Sequence, residues 1–176
     1  MRTRFDQQLA ELHTGLITMG ALCEDAIASV AKALIEGDTE RLPAVFDAAE
    51  RLKEMERDVE AQCLGLLLRQ QPVARDLREI SSALKMIYDL SRIGDQAADV
   101  AELLPYVGSH PLPPSLPMGE MARAVIRMVT DSGDAFVKKD ADAARAVIGF
   151  DDTVDALFSG VKEELTSLIR EGGEEA

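Results

Sequence analysis

One pair of aspartates in this chain is spaced so that it could bind a cation. Asp95 and Asp99 are four residues apart in DLSRIGDQAAD, so a helix would place both carboxylates on one face, one turn apart. Carboxylate oxygens are the ligands that hard cations prefer, which predicts a weakly bound divalent or ferric ion. The alternative is a solvated acidic edge, because most runs of charge on helices are of that kind.

The stretch that leads into Asp95 changes from large apolar residues to small ones. The alternating steps of three and four residues run through Leu77, Ile80, Leu84, Ile87, Ser91, Gly94, Ala98 and Ala101. This spacing is typical of a helix that packs in a bundle. We expect the large half to lie in the core and Gly94 to lie at a close contact between helices.

Composition places the chain among helical bundles. Its 176 residues are 47% hydrophobic but only 4% aromatic, without tryptophan. The net charge of −13 argues against nucleic acid or anionic lipid as direct partners, since both require a basic surface. The first residues lack the apolar run of a signal peptide, and no segment reads as a membrane span, so we expect a cytoplasmic protein without membrane insertion.

The apolar pattern divides the chain into five helices. The first has an uninterrupted stripe from Phe5 to Ala33, and the second carries Val45, Leu52, Val59 and Leu66 at heptad spacing. The third is expected to run from about Val73 to Leu104, where prolines begin. Cys23 and Cys63 fall on apolar positions too far apart along their helices for a disulfide, so we expect buried thiols.

The pattern of the first two helices returns after the proline-rich segment. Asp38 and Asp140 each open a second helix after a short turn, and this offset aligns Val59 with Val161. At this offset the apolar positions of the two segments stay in the same helical register over more than forty positions, which predicts a duplicated helical unit. We therefore expect one unit at residues 1–105, a linker at 106–117 and a shorter second unit at 118–176.

The segment around Pro72 resembles the PhoU family of phosphate-uptake regulators. QQPVARDLREI, followed by DLSRIGDQAADVA, is similar to the hallmark RQPxAxDLR and LERIGDxAxNI of that family. The resemblance covers nearly the whole chain. It implies two tandem antiparallel helical bundles, with three helices in the first and two in a truncated second.

In the family, acidic motifs on the helices form metal sites, and the resemblance transfers them unevenly to this chain. Asp95 and Asp99 match motif positions, but Ser91 stands where glutamate is expected. The acidic pair of the second helix would fall at Ala49 and Lys53, which are not acidic. We therefore expect Lys53 to form an ion pair with Asp95 or Asp99 across the contact between the second and third helices.

Asp151 and Asp155 correspond to the acidic pair of the second unit. The helix that would normally face them in the family has no counterpart in the sequence. A hard cation needs about six oxygen donors, so two carboxylates alone predict a weak site.

The resemblance implies a negative regulator of phosphate uptake and phosphate-starvation signalling. It would contact the ATPase of a phosphate transporter and a sensor histidine kinase at the inner membrane face. We expect no enzyme, because no GxxxxGK[ST], GxGxxG or GxSxG motif is present. The competing hypothesis is a carboxylate-bridged metal-binding or metal-storage protein.

The second unit leaves apolar residues uncovered, which predicts a homodimer through residues 118–171.

Overall fold

The computed structural model of the chain describes residues 2–107, 112–113 and 115–172. Its helices are α1 (Arg2–Glu36), α2 (Leu42–Gln70), α3 (Ala74–Val107), α4 (Met118–Lys138) and α5 (Ala141–Gly172). A 3₁₀ turn at Thr39–Arg41 precedes α2. The described part contains no strand, which confirms the all-α prediction.

Helices α1, α2 and α3 pack against one another around one apolar core. The largest fully buried side chains are Leu12, Met19, Cys23, Val45, Leu52, Cys63, Leu66 and Ile80. The stripes predicted on the first two helices are thus confirmed over their central parts. Phe5 and Leu9, near the start of α1, pack against the core but are only partly buried.

The buried stripe of α3 is broader than the sequence predicted. Ile80, Ile87, Gly94 and Ala101 are buried as expected, but Leu77 is 44% exposed and Leu84 only partly buried. Ala83, Leu90 and Ala97 are buried instead of being flanking positions. Helix α3 contacts both α1 and α2, so its buried face is wider than a single stripe. It includes the residues directly before the predicted positions Leu84, Ser91 and Ala98. The prediction that Leu77 packs in the core was wrong.

Helix α3 continues past the first proline. Pro105 lies inside its last turn, and the helix ends at Val107, three residues beyond the predicted end. A proline there removes a single hydrogen bond while its fixed φ remains helical, so the last turn persists. Residues 108–111 and 114 of the predicted linker lie outside the described residues. Leu116 is buried, so the end of this segment packs against the helices.

The two turns that begin a second helix use the same aspartate cap. The Asp38 carboxylate accepts a hydrogen bond from the Glu40 backbone N–H at 3.3 Å. The Asp140 carboxylate accepts from the N–H groups of Asp142 and Ala143, each at 3.0 Å. These bonds satisfy donors that a helix start leaves free.

Helix α4 packs on α1, and α5 packs on α4. Val129 and Phe136 of α4 contact the core of the first three helices, so this core continues into the second unit. In the described part of the chain, the backbone of α5 approaches only that of α4. One face of α5 is therefore left without a neighbouring helix.

Helix α1 has the length and hydropathy of a membrane span, contrary to the expectation that no segment of the chain does. The stretch with these properties is Arg4–Glu36, near the N-terminus. Length and composition alone are weak evidence, because the core helix of a bundle meets the same criterion. Leu12, Met19 and Cys23 are fully buried against α2 and α3, which accounts for the apolar character of α1.

The close contact predicted at Gly94 is confirmed. A Cβ atom at this position would overlap with Leu52 Cδ1 and would lie 3.6 Å from Ala49 Cα. Leu52 is fully buried, so it has little room to move away. Glycine is thus required for α2 and α3 to approach each other at this point.

We expect Gly94→Ala to destabilise the protein by about 1–3 kcal/mol through overpacking. The matched control is Gly65→Ala in α2, where a Cβ would meet nothing within 4 Å. That change should stabilise by about 0.5–1 kcal/mol, because alanine is the better helix former. Chemical denaturation of both variants measures the difference. A stabilising effect at both positions would show that α2 and α3 do not approach closely at Gly94.

Candidate functional site

The first acidic pair is partly neutralised by a lysine from the neighbouring helix. Lys53 Nζ of α2 lies 3.0 Å from Asp95 Oδ1 of α3 and 3.5 Å from Glu50 Oε1. The hydrogen bond and the charge of Asp95, with the charge of Glu50, raise the pKa of Lys53. The predicted ion pair is confirmed. Both side chains are more than 40% exposed, so the pair adds little to stability.

The other three candidate carboxylates point into solvent. Asp99, Asp151 and Asp155 are all exposed, and none forms an ion pair within the described residues. The same part of the chain contains no group of three or more acidic, histidine or cysteine side chains arranged to bind a metal. At Asp95 a cation would have to displace Lys53, so these donors do not fit a tight metal site. Weak metal binding at the four aspartates stays a prediction.

A second charged cluster, which the sequence did not predict, lies where the two units meet. Glu79 of α3 is the only charged residue that is buried within the described part of the chain. Its Oε1 accepts a hydrogen bond from His13 Nε2 of α1 at 2.7 Å. Its Oε2 accepts from Lys139 Nζ, in the turn between α4 and α5, at 2.6 Å. Phe136 of α4 packs edge-on against the His13 ring, with the centroids 5.8 Å apart.

This cluster joins both units through one carboxylate. Burial alone would raise the pKa of Glu79, but the hydrogen bonds and charges of Lys139 and His13 outweigh it and lower that pKa. Glu79 is therefore ionised at neutral pH. Since its partners come from α1 and from the turn after α4, the ionised carboxylate fixes that turn against the first bundle.

The sequence analysis did not single out Glu79. The available signal was its place directly before Ile80, a position of the apolar stripe of the third helix. His13 also lies beside the seam of α1. Two ionisable residues next to apolar stripes of different helices are candidates for a buried pair.

A large groove opens beside this cluster, between α3 and α5. Its volume is about 1080 Å³, and α4 forms most of its floor. Val129, Phe136 and Val147 are among the apolar residues that line it. Arg75, Arg78 and Lys139 lie at one end. The shape and lining suit a helix or an extended apolar ligand rather than a small polar one.

Comparison with known proteins identifies what this fold resembles. The family model described as PhoU domain matches residues 16–104 and 118–176. A phosphate-specific transport system accessory protein PhoU homolog of Pseudomonas putida is 34% identical over 170 residues, which cover 96% of this chain and 66% of that protein. The homolog of Pseudomonas aeruginosa is 32% identical, with 96% of this chain and 70% of that protein covered.

Solved structures agree in fold. The crystal structure of PhoU from Pseudomonas aeruginosa superposes with a TM-score of 0.85 at 33% identity, over 95% of this chain and 81% of the other. PhoU from Streptococcus pneumoniae gives the same TM-score at 23% identity, which shows the fold alone. The chain thus spans about two thirds of the length of the Pseudomonas putida relative and four fifths of the crystallised Pseudomonas aeruginosa chain.

We expect Glu79→Gln to destabilise the protein by about 2–3 kcal/mol at pH 7, because Lys139 and His13 lose a buried charged partner. The lowered pKa of Glu79 means that its contribution is complete above its ordinary value of 4.5 and is lost as the pH falls below it. Urea denaturation at pH 7 and at pH 4 measures this.

The matched control for this change is Glu11→Gln, at an exposed glutamate of α1. The stability difference between the wild type and Glu79→Gln should be largest at neutral pH and should shrink in acid. The control should show neither effect. Equal stability of the wild type and Glu79→Gln at pH 7 would mean that the cluster does not hold the two units together.

Proposed function

The chain belongs to the PhoU family, and we propose from this premise that it is a negative regulator of phosphate uptake and phosphate-starvation signalling. It acts by binding other proteins rather than by catalysis. The observation that carries the proposal is the match of the PhoU domain model to both units of the chain. Relatives that bear the name of phosphate-specific transport system accessory proteins support it.

The architecture suits a protein that works through contacts. Five long helices present broad faces, and α5 keeps one of them uncovered by the rest of the described chain. Helix α5 carries four exposed large apolar residues, Ile148, Phe158, Leu165 and Ile169. An apolar face of this size on a helix is typical of an interaction surface.

Two partners follow from the family resemblance. They are the ATPase of a phosphate transporter and a phosphate-sensing histidine kinase, which this protein would bind at the inner face of the membrane. It would reside in the cytoplasm and be recruited by these partners. The net charge of −13 favours basic surfaces on the partners and disfavours direct contact with anionic lipid.

Deletion of the gene in its host tests this proposal. In phosphate-replete medium we expect loss of the protein to raise the uptake of radiolabelled phosphate and to switch on a phosphate-starvation reporter. Expression of the wild-type chain should reverse both effects, and the destabilised Gly94→Ala variant should do so less well. Unchanged uptake and reporter activity after deletion would reject the regulatory role.

We also propose that two copies associate through residues 118–171. Phe158, Leu165 and Ile169 lie on the far half of α5, beyond the groove, and are 41–60% exposed. They recur at heptad-like spacing along one face, which suits antiparallel pairing with the same face of a second copy. A two-fold axis would make this contact self-complementary.

Phe158→Asp should convert this dimer into monomers, because it places a charge on the exposed apolar face that the two copies would bury. The matched control is Leu68→Asp, at a residue of α2 that is 81% exposed. Sedimentation velocity at micromolar concentration should show dimers for the wild type and the control, and monomers for Phe158→Asp. A wild-type monomer under these conditions would refute the proposal.

A further inference from the structure

The outer edge of the contact between α2 and α3 carries one lysine among acidic side chains. Lys53 Nζ of α2 lies 3.0 Å from Asp95 Oδ1 of α3 and 3.5 Å from Glu50 Oε1 of its own helix. Asp99 follows Asp95 one turn later on α3. One ammonium group therefore holds together carboxylates from two helices, as a bridging cation does in a carboxylate site. We call these four residues the Lys53 edge.

The inner side of the same contact is closed by small residues. Ala49 and Ser91, which stand where the family resemblance implies acidic residues, are each only 4% exposed. Ala49 Cα would lie 3.6 Å from a Cβ atom at position 94, so the two helices meet closely there. Neither side chain offers a carboxylate oxygen. The carboxylates that remain lie on the outer edge, and two of them already contact the lysine.

The positive charge of Lys53 is permanent at physiological pH. Its hydrogen bond to Asp95, with the charges of Asp95 and Glu50, raises the pKa of Lys53 above the ordinary value of 10.5. A divalent cation on the same Asp95 oxygen would therefore lie within a few ångströms of a fixed positive charge. Like charges at that separation repel each other, so the cation must first displace the lysine.

The Lys53 edge faces away from the second unit. Among the described helices, the backbone of α2 approaches only α1, α3 and the 3₁₀ turn that precedes it. On α3, Asp89 and Ile93 line the groove beside α4 and α5. Asp95 lies about 200° around the helix from Ile93, because successive residues are about 100° apart. A further helix packed against α4 and α5 would therefore leave this edge unchanged.

We propose that Lys53 takes the place of a bridging metal ion, so that the contact between α2 and α3 forms without metal. The ammonium group neutralises the carboxylates that a metal would otherwise join, and it keeps hard cations from binding tightly at Asp95. Replacing this lysine with a carboxylate turns the edge into a cation site. This inference goes beyond the proposed regulatory role, because it does not depend on which partner the protein binds.

Binding of Mn²⁺ to the full chain tests this proposal, with the signal of the free ion in electron paramagnetic resonance as the measurement. Lys53→Glu removes the positive charge and adds a carboxylate beside Glu50, Asp95 and Asp99. We expect this variant to bind Mn²⁺ about 10-fold more tightly than the wild type, or better. Lys53→Gln removes the charge without adding a ligand, so it should gain only about 2- to 3-fold.

The matched control is Lys85→Glu, at an exposed lysine of α3 that lies almost three turns before Asp95. It changes the net charge of the chain by the same amount, and it should alter Mn²⁺ affinity by less than about 2-fold. Adding Asp95→Asn to Lys53→Glu should return the affinity to that of the wild type. Circular dichroism should show unchanged helix content, because the side chains of Lys53 and Asp95 are more than 40% exposed.

The outcomes decide between lysine and metal at this edge. A gain in affinity that is confined to substitution of Lys53 and is abolished by Asp95→Asn would support the proposal. Equal affinities of Lys53→Glu and Lys85→Glu would overturn it. Tight binding of Mn²⁺ by the wild type that is lost in Asp95→Asn alone would also overturn it. None of these results depends on phosphate uptake, so the regulatory role and this inference can fail separately.

Discussion

The position of α1 is the constraint on which the rest of the structure depends. This helix contacts α2, α3 and α4, so it needs apolar side chains on more than one of its faces. That requirement gives α1 the composition of a membrane span, although its residues pack in a protein core. Because the backbone of α5 approaches only that of α4 among the described residues, the placement of α5 depends on the contact between α1 and α4. The Glu79 cluster reinforces this contact at one end.

Periodicity predicted the helices and most of the core because burial repeats with the helical turn. Leu12, Leu52 and Leu66 were placed correctly for that reason, and Gly94 was recognised because a glycine within a stripe of small residues marks close approach. The error at Leu77 arose because a strict heptad pattern describes a helix with one neighbour, whereas α3 has two. The ion pair of Lys53 with Asp95 was predicted from the family resemblance, which places Lys53 at a position of the acidic motif on α2 that faces α3.

The Glu79 cluster was not predictable in the same way. Its two partners are 66 and 60 residues away in sequence, and Lys139 reaches Glu79 only because α4 packs on α1. No local pattern encodes which face of the first bundle receives α4. The groove escaped prediction for the same reason, because its walls come from helices of different units. Local sequence determines each helix and its apolar face. The contacts between units depend on which neighbouring helix packs against each part of that face.

The two units therefore differ in what their helices do. In the first, three helices cover one another, and Lys53 of α2 forms an ion pair with Asp95 of α3. In the second, two helices leave Asp151 and the apolar residues of α5 without partners in the described part of the chain. An apolar face left in contact with water costs free energy. The first unit is thus closed by its own helices, whereas part of α5 stays in contact with solvent in the described part of the chain.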